Sequence, residues 1–242
     1  MIPKPKLIVF ASGTKDGSSS TTPLGLSKTE YRQENLGGGG SGFENLVAAT
    51  KTGLLDADIV AVVSNHEHGG VRKRAERLGV PFIYFPGPYD AEHYASVLQK
   101  TAIEKNELWV ALSGWLRHVH GLDPAKTFNI HPALLSQLGG KFGGHGMYGN
   151  RIHEAVKAAL DAGEITESGF SMHFVTEEMD RGPVFFEHRV PLKAGMSAGE
   201  IQKSVQAAEH EWQPKLTNMV VHGHVRWDGK DPNSLVAPDA KG

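Results

Sequence analysis

Asn129 and His131 stand two residues apart in Thr127-Phe128-Asn129-Ile130-His131-Pro132. On an extended segment residues at that spacing project to the same side, which sets a carboxamide beside an imidazole. Pro132 ends strand pairing and leaves both side chains at the rim of a sheet. An amide that donates hydrogen bonds, next to an imidazole that moves protons, meets two needs of acyl transfer to an amine: an oxyanion must be held and a proton must leave the nucleophile. The same pair also suits a buried Asn and His satisfied by backbone, since no nucleophile is identified beside it.

Asp180 lies farther along, among Glu177, Glu178 and Arg181. Two readings stand: a solvated acidic turn, or a carboxylate that raises an imidazole pKa and orders a water. Residues 37–42 are Gly37-Gly38-Gly39-Gly40-Ser41-Gly42, just ahead of a helix-like stretch that starts near Phe43. Glycine-supported amides and a helix N-terminus coincide there, which suits a phosphate or a plain linker. No Gly-Lys-Ser/Thr follows, so this is not the nucleoside-triphosphate loop. His66/His68, His118/His120 and His222/His224 are each spaced two apart, yet none has a defined third ligand, and no metal is expected. Arg72, Lys73, Arg74 and Arg77 read as a solvated helix face.

These groups must be positioned by an α/β framework. Short continuous apolar runs at residues 7–11, 59–64, 82–85 and 108–112 read as buried parallel strands. Between them, Phe43, Leu46 and Val47, then Tyr94, Val97 and Leu98, follow helical spacing. The alternation implies right-handed crossovers, with ligands at the carboxyl ends of the strands. Residues 170–175 and 184–190 read as an antiparallel pair joined by a long loop. Residues 150–162 and 197–221 read as helices, the second capped by Ser197 with Glu200 and kinked or broken at Pro214. A single domain over residues 1–227 is expected, with a flexible insertion at 14–39 that is either a linker or a lid, and a mobile tail at 228–242.

Composition narrows the partners. The 242 residues carry a formal net charge of -2, so no overall basic field exists to hold nucleic acid or an anionic membrane. No cysteine is present, which excludes disulfides, thiol nucleophiles and cysteine-based metal sites. The apolar run at residues 7–11 is far too short for a signal peptide or a membrane span, and a cytoplasmic protein acting on small molecules is expected.

Asn129-Ile130-His131-Pro132-Ala133-Leu134-Leu135, the stretch from Ser171-Met172-His173 through Asp180-Arg181-Gly182-Pro183, and Gly40-Ser41-Gly42 together resemble the folate-dependent formyltransferases. Within that group they are most similar to the phosphoribosylglycinamide formyltransferase branch, over most of residues 6–221. The resemblance implies a Rossmann-like formyltransferase fold: a parallel sheet in the N-terminal half, extended by antiparallel strands, with helices on both faces. It implies transfer of a formyl group from 10-formyltetrahydrofolate, as co-substrate, to the amine of glycinamide ribonucleotide in purine synthesis.

By position, the resemblance makes Asn129, His131 and Asp180 the catalytic trio. The amide and imidazole would stabilise the tetrahedral intermediate, and Asp180 would assist proton transfer through water. Gly40, Ser41 and Gly42 match the phosphate loop, Asn65 another substrate-binding position, and Glu209 the residue that binds ribose hydroxyls. The folate would lie against Trp115, Leu116, Arg117, His118 and Val119 and against Val175, Thr176, Glu177, Glu178 and Met179. Gly42 stands where the family commonly has Asn, which removes one side-chain donor. The loop at residues 142–149 bears on folate access. Another amine, such as an amino sugar nucleotide, or a non-catalytic nucleotide binder on the same scaffold, remains an alternative. A methionyl-tRNA substrate is disfavoured by the short chain after Val221.

Overall fold

The computed structural model describes residues 3–13 and 39–237. The expected insertion at 14–39 thus falls, apart from Gly39, outside the described residues, as does the end of the chain from 238. Among the described residues seven strands form one sheet in the order β3-β2-β1-β4-β5-β6-β7. They are β1 (Lys6–Phe10), β2 (Asp58–Ser64), β3 (Phe82–Tyr84), β4 (Leu108–Ser113), β5 (Thr127–His131), β6 (Glu167–Phe174) and β7 (Val184–Pro191). The first five pair in parallel, and β6 and β7 add antiparallel strands at one edge.

Alternation along β1 divides the core. Leu7 and Val9 face one apolar cluster, Ile8 and Phe10 the other. The first cluster takes in Phe43 of α1 (Ser41–Thr52), Val71 of α2 (Gly70–Leu78), Val156 of α4 (Asn150–Asp161) and Val205 of α5 (Ala198–Val221). The second holds Tyr94, Val97 and Leu98 of α3 (Ala91–Gln99). Helices therefore cover both faces, as expected, with four on one side. Strand order reverses at β1, whose neighbours are β2 and β4. A crevice opens at the carboxyl ends of strands at such a point. The amide of Ser12, just past β1, donates to the Gly114 carbonyl just past β4 at 2.9 Å and closes its base.

The expected kink or break at Pro214 does not interrupt α5, which runs unbroken from Ala198 to Val221. Proline lacks the N–H that would bond the carbonyl four residues earlier, at His210. Asn45 Nδ2 on α1 donates to that carbonyl instead, at 2.7 Å. A neighbouring side chain thus satisfies the group that proline leaves open. At its start the helix has the capping box read from Ser197 and Glu200.

Residues 228–237 also differ from the loose tail expected at 228–242. Asp228 accepts from the amides of Lys230 and Asp231, each at 2.8 Å, and residues Pro232–Ser234 form a turn of 3-10 helix. Arg226 and Val236 pair as an antiparallel bridge, and Trp227 is buried against Phe174. The Asp side chains supply local acceptors, which is why a polar stretch takes a fixed shape here.

Candidate active site

A cavity of about 540 Å³ lies over the carboxyl ends of β1, β4 and β5. Asn129 and His131 reach it together, as the two-residue spacing on β5 requires. Asp180 reaches it from the loop between β6 and β7, with φ at 55°. A non-glycine residue in that left-handed region carries strain of about 1 kcal/mol, held here by the surrounding loop. Pairing of β5 with β6 brings the loop over: His131 lies opposite Ser171 and Asn129 opposite His173.

Around Asp180 the contacts are specific. Its Oδ2 is 3.6 Å from His131 Nδ1 and accepts from the Gly144 amide at 3.0 Å, while Oδ1 is 3.5 Å from His173 Nε2. Burial alone would push the carboxyl up; the His173 and His131 rings beside it and the Gly144 N–H outweigh it and hold the group at about 2. His131 Nε2 donates to the Phe142 carbonyl at 2.7 Å. Since a carbonyl only accepts, the neutral ring turns its Nδ1 lone pair toward Asp180. Burial pulls this imidazole below its usual value, against the opposing pull of Asp180 and the Phe142 carbonyl.

His173, part of the same sequence stretch as Asp180, gains a role from the fold. Its Nδ1 donates to the Phe174 carbonyl at 2.8 Å, and its Nε2 faces the Asn129 amide nitrogen at 3.1 Å. Only β5–β6 pairing creates that contact, across 44 residues. The alternation along β6 was the available signal, because His173 shares a sheet face with Ser171, which is opposite His131.

At another part of the cavity, α1 starts at Gly40, φ 85°, with no side chain capping its first turn. Its first N–H groups have no partner among the described residues, and Gly40, Ser41 and Gly42 line the cavity. Ser41 Oγ is met by Gln206 Nε2 at 3.0 Å and His210 Nε2 at 3.3 Å from α5. Glu209 lines the cavity between them, and burial pushes its carboxyl up to about 8, so at neutral pH it is mostly an undissociated acid. Beneath Gly42 sits a buried pair in which Gln213 Nε2 donates to Ser113 Oγ at 3.0 Å. A Cβ on Gly42 would meet Ser113 Oγ at 2.2 Å, so the absence of a side chain there is matched by these two neighbours. None of Gln206, His210, Ser113 or Gln213 was singled out from sequence, because helix and strand spacing alone does not show which face meets α1.

The basic run on α2 is not simply a solvated face. Arg74 Nε meets Glu44 of α1 at 2.7 Å, Arg77 pairs with the same carboxylate, and Arg74 Nη1 donates to the Gly39 carbonyl at 2.8 Å. The two guanidinium groups neutralise an acid in the first turn of α1, and Arg74 also holds the Gly39 carbonyl just ahead of it.

Trp115, Leu116, Arg117, His118 and Val119 line the cavity, as do Val175, Thr176 and Met179. Glu177, Glu178 and Asn65 do not. Glu177 instead fastens the two segments together: its carboxylate accepts from the Gly121 amide at 3.0 Å and pairs with His120 Nδ1 at 2.8 Å, while its carbonyl accepts from His118 Nε2 at 2.7 Å. Asn65 is buried, and the amide orientation that satisfies both its ends turns the nitrogen toward Ser12 and the oxygen to accept from Arg117 Nη2 at 3.2 Å. Trp115 is buried, its indole N–H donating to the Tyr94 hydroxyl at 2.9 Å, which in turn donates to the His118 carbonyl at 2.9 Å. His145, Met147 and Tyr148 bring the 142–149 loop to the rim. Among the described residues no group of three His, Cys, Asp or Glu is arranged to hold a metal, and no helix is long and apolar enough to cross a membrane.

The family model described as formyl transferase matches residues 35–217. The chloroplastic phosphoribosylglycinamide formyltransferase of Arabidopsis thaliana is 30% identical over 203 residues, covering 79% of this chain and 65% of that protein. The phosphoribosylglycinamide formyltransferase of Escherichia coli is 28% identical over 203 residues, covering 79% of this chain and 87% of that protein. The match therefore spans just under two thirds of the plant relative's length and most of the bacterial one. Among solved structures, glycinamide ribonucleotide transformylase 1 from Geobacillus kaustophilus superposes with a TM-score of 0.67 at 26% identity, covering 90% of this chain and all of that one. The Symbiobacterium toebii protein of the same name gives 0.70 at 22% identity, covering 98% and 95%, a likeness of fold.

Proposed function

The chain belongs to the formyl transferase family, and we propose that it transfers the formyl group of 10-formyltetrahydrofolate to the amine of glycinamide ribonucleotide in purine biosynthesis. The observation that carries this reading is the convergence of Asn129, His131 and Asp180 on one cavity that also holds the uncapped start of α1. An acyl-transfer group set and an anion-suited helix N-terminus share one space, as a phosphorylated amine substrate requires.

In this reading the ribonucleotide phosphate lies at Gly40, Ser41 and Gly42, and the undissociated Glu209 carboxyl donates to a ribose hydroxyl oxygen. The folate lies between residues 115–119 and 175–179. The substrate amine attacks the formyl carbon, forming a C–N bond; the bond from that carbon to folate N10 then breaks. One proton leaves the amine and one reaches N10. Asn129 donates to the oxyanion. Because His131 Nε2–H is held by the Phe142 carbonyl, its Nδ1 is the nitrogen that takes up a proton. The nearby Asp180 carboxylate favours the imidazolium, which then donates to the oxyanion.

The test is a turnover assay with 10-formyltetrahydrofolate and a panel of amines, reading the release of tetrahydrofolate and the formylated product. Formylation of glycinamide ribonucleotide is expected. Transfer to an amino sugar nucleotide alone would overturn the substrate assignment, and binding of both ligands without turnover would overturn catalysis.

A further inference from the structure

His153 lies on α4, on the face that buries Ile152, Val156 and Ala159, and it is 5% exposed. It nevertheless lines the cavity, close enough to His131 for the two rings to interact electrostatically. Its Nδ1 is shut off from water, and neither ring nitrogen has a hydrogen-bond partner among the described residues. The ring is therefore a polar group set in an apolar helix face with both nitrogens open. Leaving such a group unpaired is costly, and native structures do so where a ligand or water completes the bonding. An orphan acceptor is tolerated better than an orphan donor, so the ring hydrogen belongs on Nε2, the nitrogen that opens on the cavity.

We propose that His153 is a further oxyanion donor, its Nε2–H bonding the formyl oxygen of the donor as that oxygen gains charge beside His131. This rests on the formyl-transfer reading. Burial, together with the neighbouring His131, holds the imidazole at about 4, so the ring is neutral at working pH and donates without carrying charge. It differs in this from His131, whose Nε2–H is already given to the protein. A donor aimed where charge develops acts mainly in the transition state, so its loss lowers kcat more than it weakens binding.

The experiment compares His153→Leu and His153→Gln with the unmodified enzyme. Leucine fits the apolar helix face without an N–H, and glutamine restores one near the position of Nε2. Expected for His153→Leu are a fall in kcat of about 100-fold, a KM for the folate within about 3-fold, and a ligand-free Tm unchanged or raised. His153→Gln should recover part of kcat. In the unmodified protein, the His153 ring-nitrogen NMR signals should move when 10-formyltetrahydrofolate binds without the amine, and move less with formyl-free tetrahydrofolate. Normal turnover in His153→Leu overturns the proposal, as does a lowered Tm with equal kcat loss in both variants, the pattern of a structural residue. If the unmodified protein transfers no formyl group to any amine, the formyl-transfer reading fails first and this one with it.

Discussion

The Asn129 side-chain nitrogen lies 3.1 Å from His173 Nε2, so an imidazole on β6 decides which way the carboxamide on β5 points. His173 can accept at Nε2 because its Nδ1–H is committed to the Phe174 carbonyl. One amide hydrogen is thereby anchored and the other is left for the cavity. His173→Ala is expected to lower kcat about 10-fold, and the Asn129→Ala/His173→Ala double variant should be no slower than Asn129→Ala alone, since one residue acts through the other. Additive losses in that double-mutant cycle would separate the two residues.

His131→Ala should cost about 3 kcal/mol in the transition state, the usual size for a lost oxyanion donor. The structure adds a folding cost, because the Phe142 carbonyl loses its donor; a penalty of about 1 kcal/mol is expected in denaturant unfolding. Near-normal kcat would remove His131 from the mechanism.

Asp180→Asn should lower kcat far more than folate affinity, measured by turnover and by equilibrium binding, because its part is to favour the imidazolium rather than to dock the ligand. It also alters acid stability. The carboxyl falls from 3.8 to about 2 on folding, so it contributes about 2 kcal/mol that is present above pH 4 and lost as pH drops toward 2. The difference in unfolding free energy between the native protein and Asp180→Asn should shrink over that window; a constant difference would mean that the carboxylate is not stabilised by the fold.

Glu209 has the opposite sign. Its carboxyl rises from 4.5 to about 8 on folding, so stability falls as pH climbs from 4.5 toward 8, by no more than about 4 kcal/mol because the group lines the cavity and is only half-buried. Glu209→Gln should therefore raise Tm at pH 8 relative to the native protein, with the gap closing near pH 4.5. It should also raise KM for the ribonucleotide. A pH-independent Tm difference would exclude an elevated Glu209.

Gly42→Ala places a methyl group 2.2 Å from Ser113 Oγ and 3.1 Å from Gln213 Oε1. Loss of 1–3 kcal/mol of stability, on the order of other overpacked sites, is expected with a higher KM for the phosphorylated substrate. Ser113→Ala in the same chain should recover part of both. Failure of that recovery in thermal unfolding would show that backbone, not the Ser113 hydroxyl, sets the constraint.

The parallel half of the fold was legible because buried strands read as unbroken apolar runs and α1 and α3 keep a helical spacing. The reading missed where local rules were overruled by a distant partner. Pro214 reads as a break, yet Asn45 satisfies the carbonyl it orphans. Arg74 and Arg77 read as solvated, yet Glu44 lies on the adjoining helix. Glu177 reads as part of a solvated acidic turn, yet His120 and the Gly121 amide hold its carboxylate between two cavity-lining segments.

What the sequence by itself determined is the pairing of Asn129 with His131, since a period of two on an extended chain allows no other side for them. The positions of Gly40 and Ser41 at a helix start follow from the same kind of local rule. The tertiary structure decided what surrounds them. Asp180 joins His131 only because β6 pairs antiparallel to β5 and carries its loop back over the sheet. His173, Ser113, Gln213 and His153 enter the site through strand register and helix packing. Local sequence sets which way a side chain leaves its own element; which neighbour it then meets depends on contacts between residues far apart in the chain.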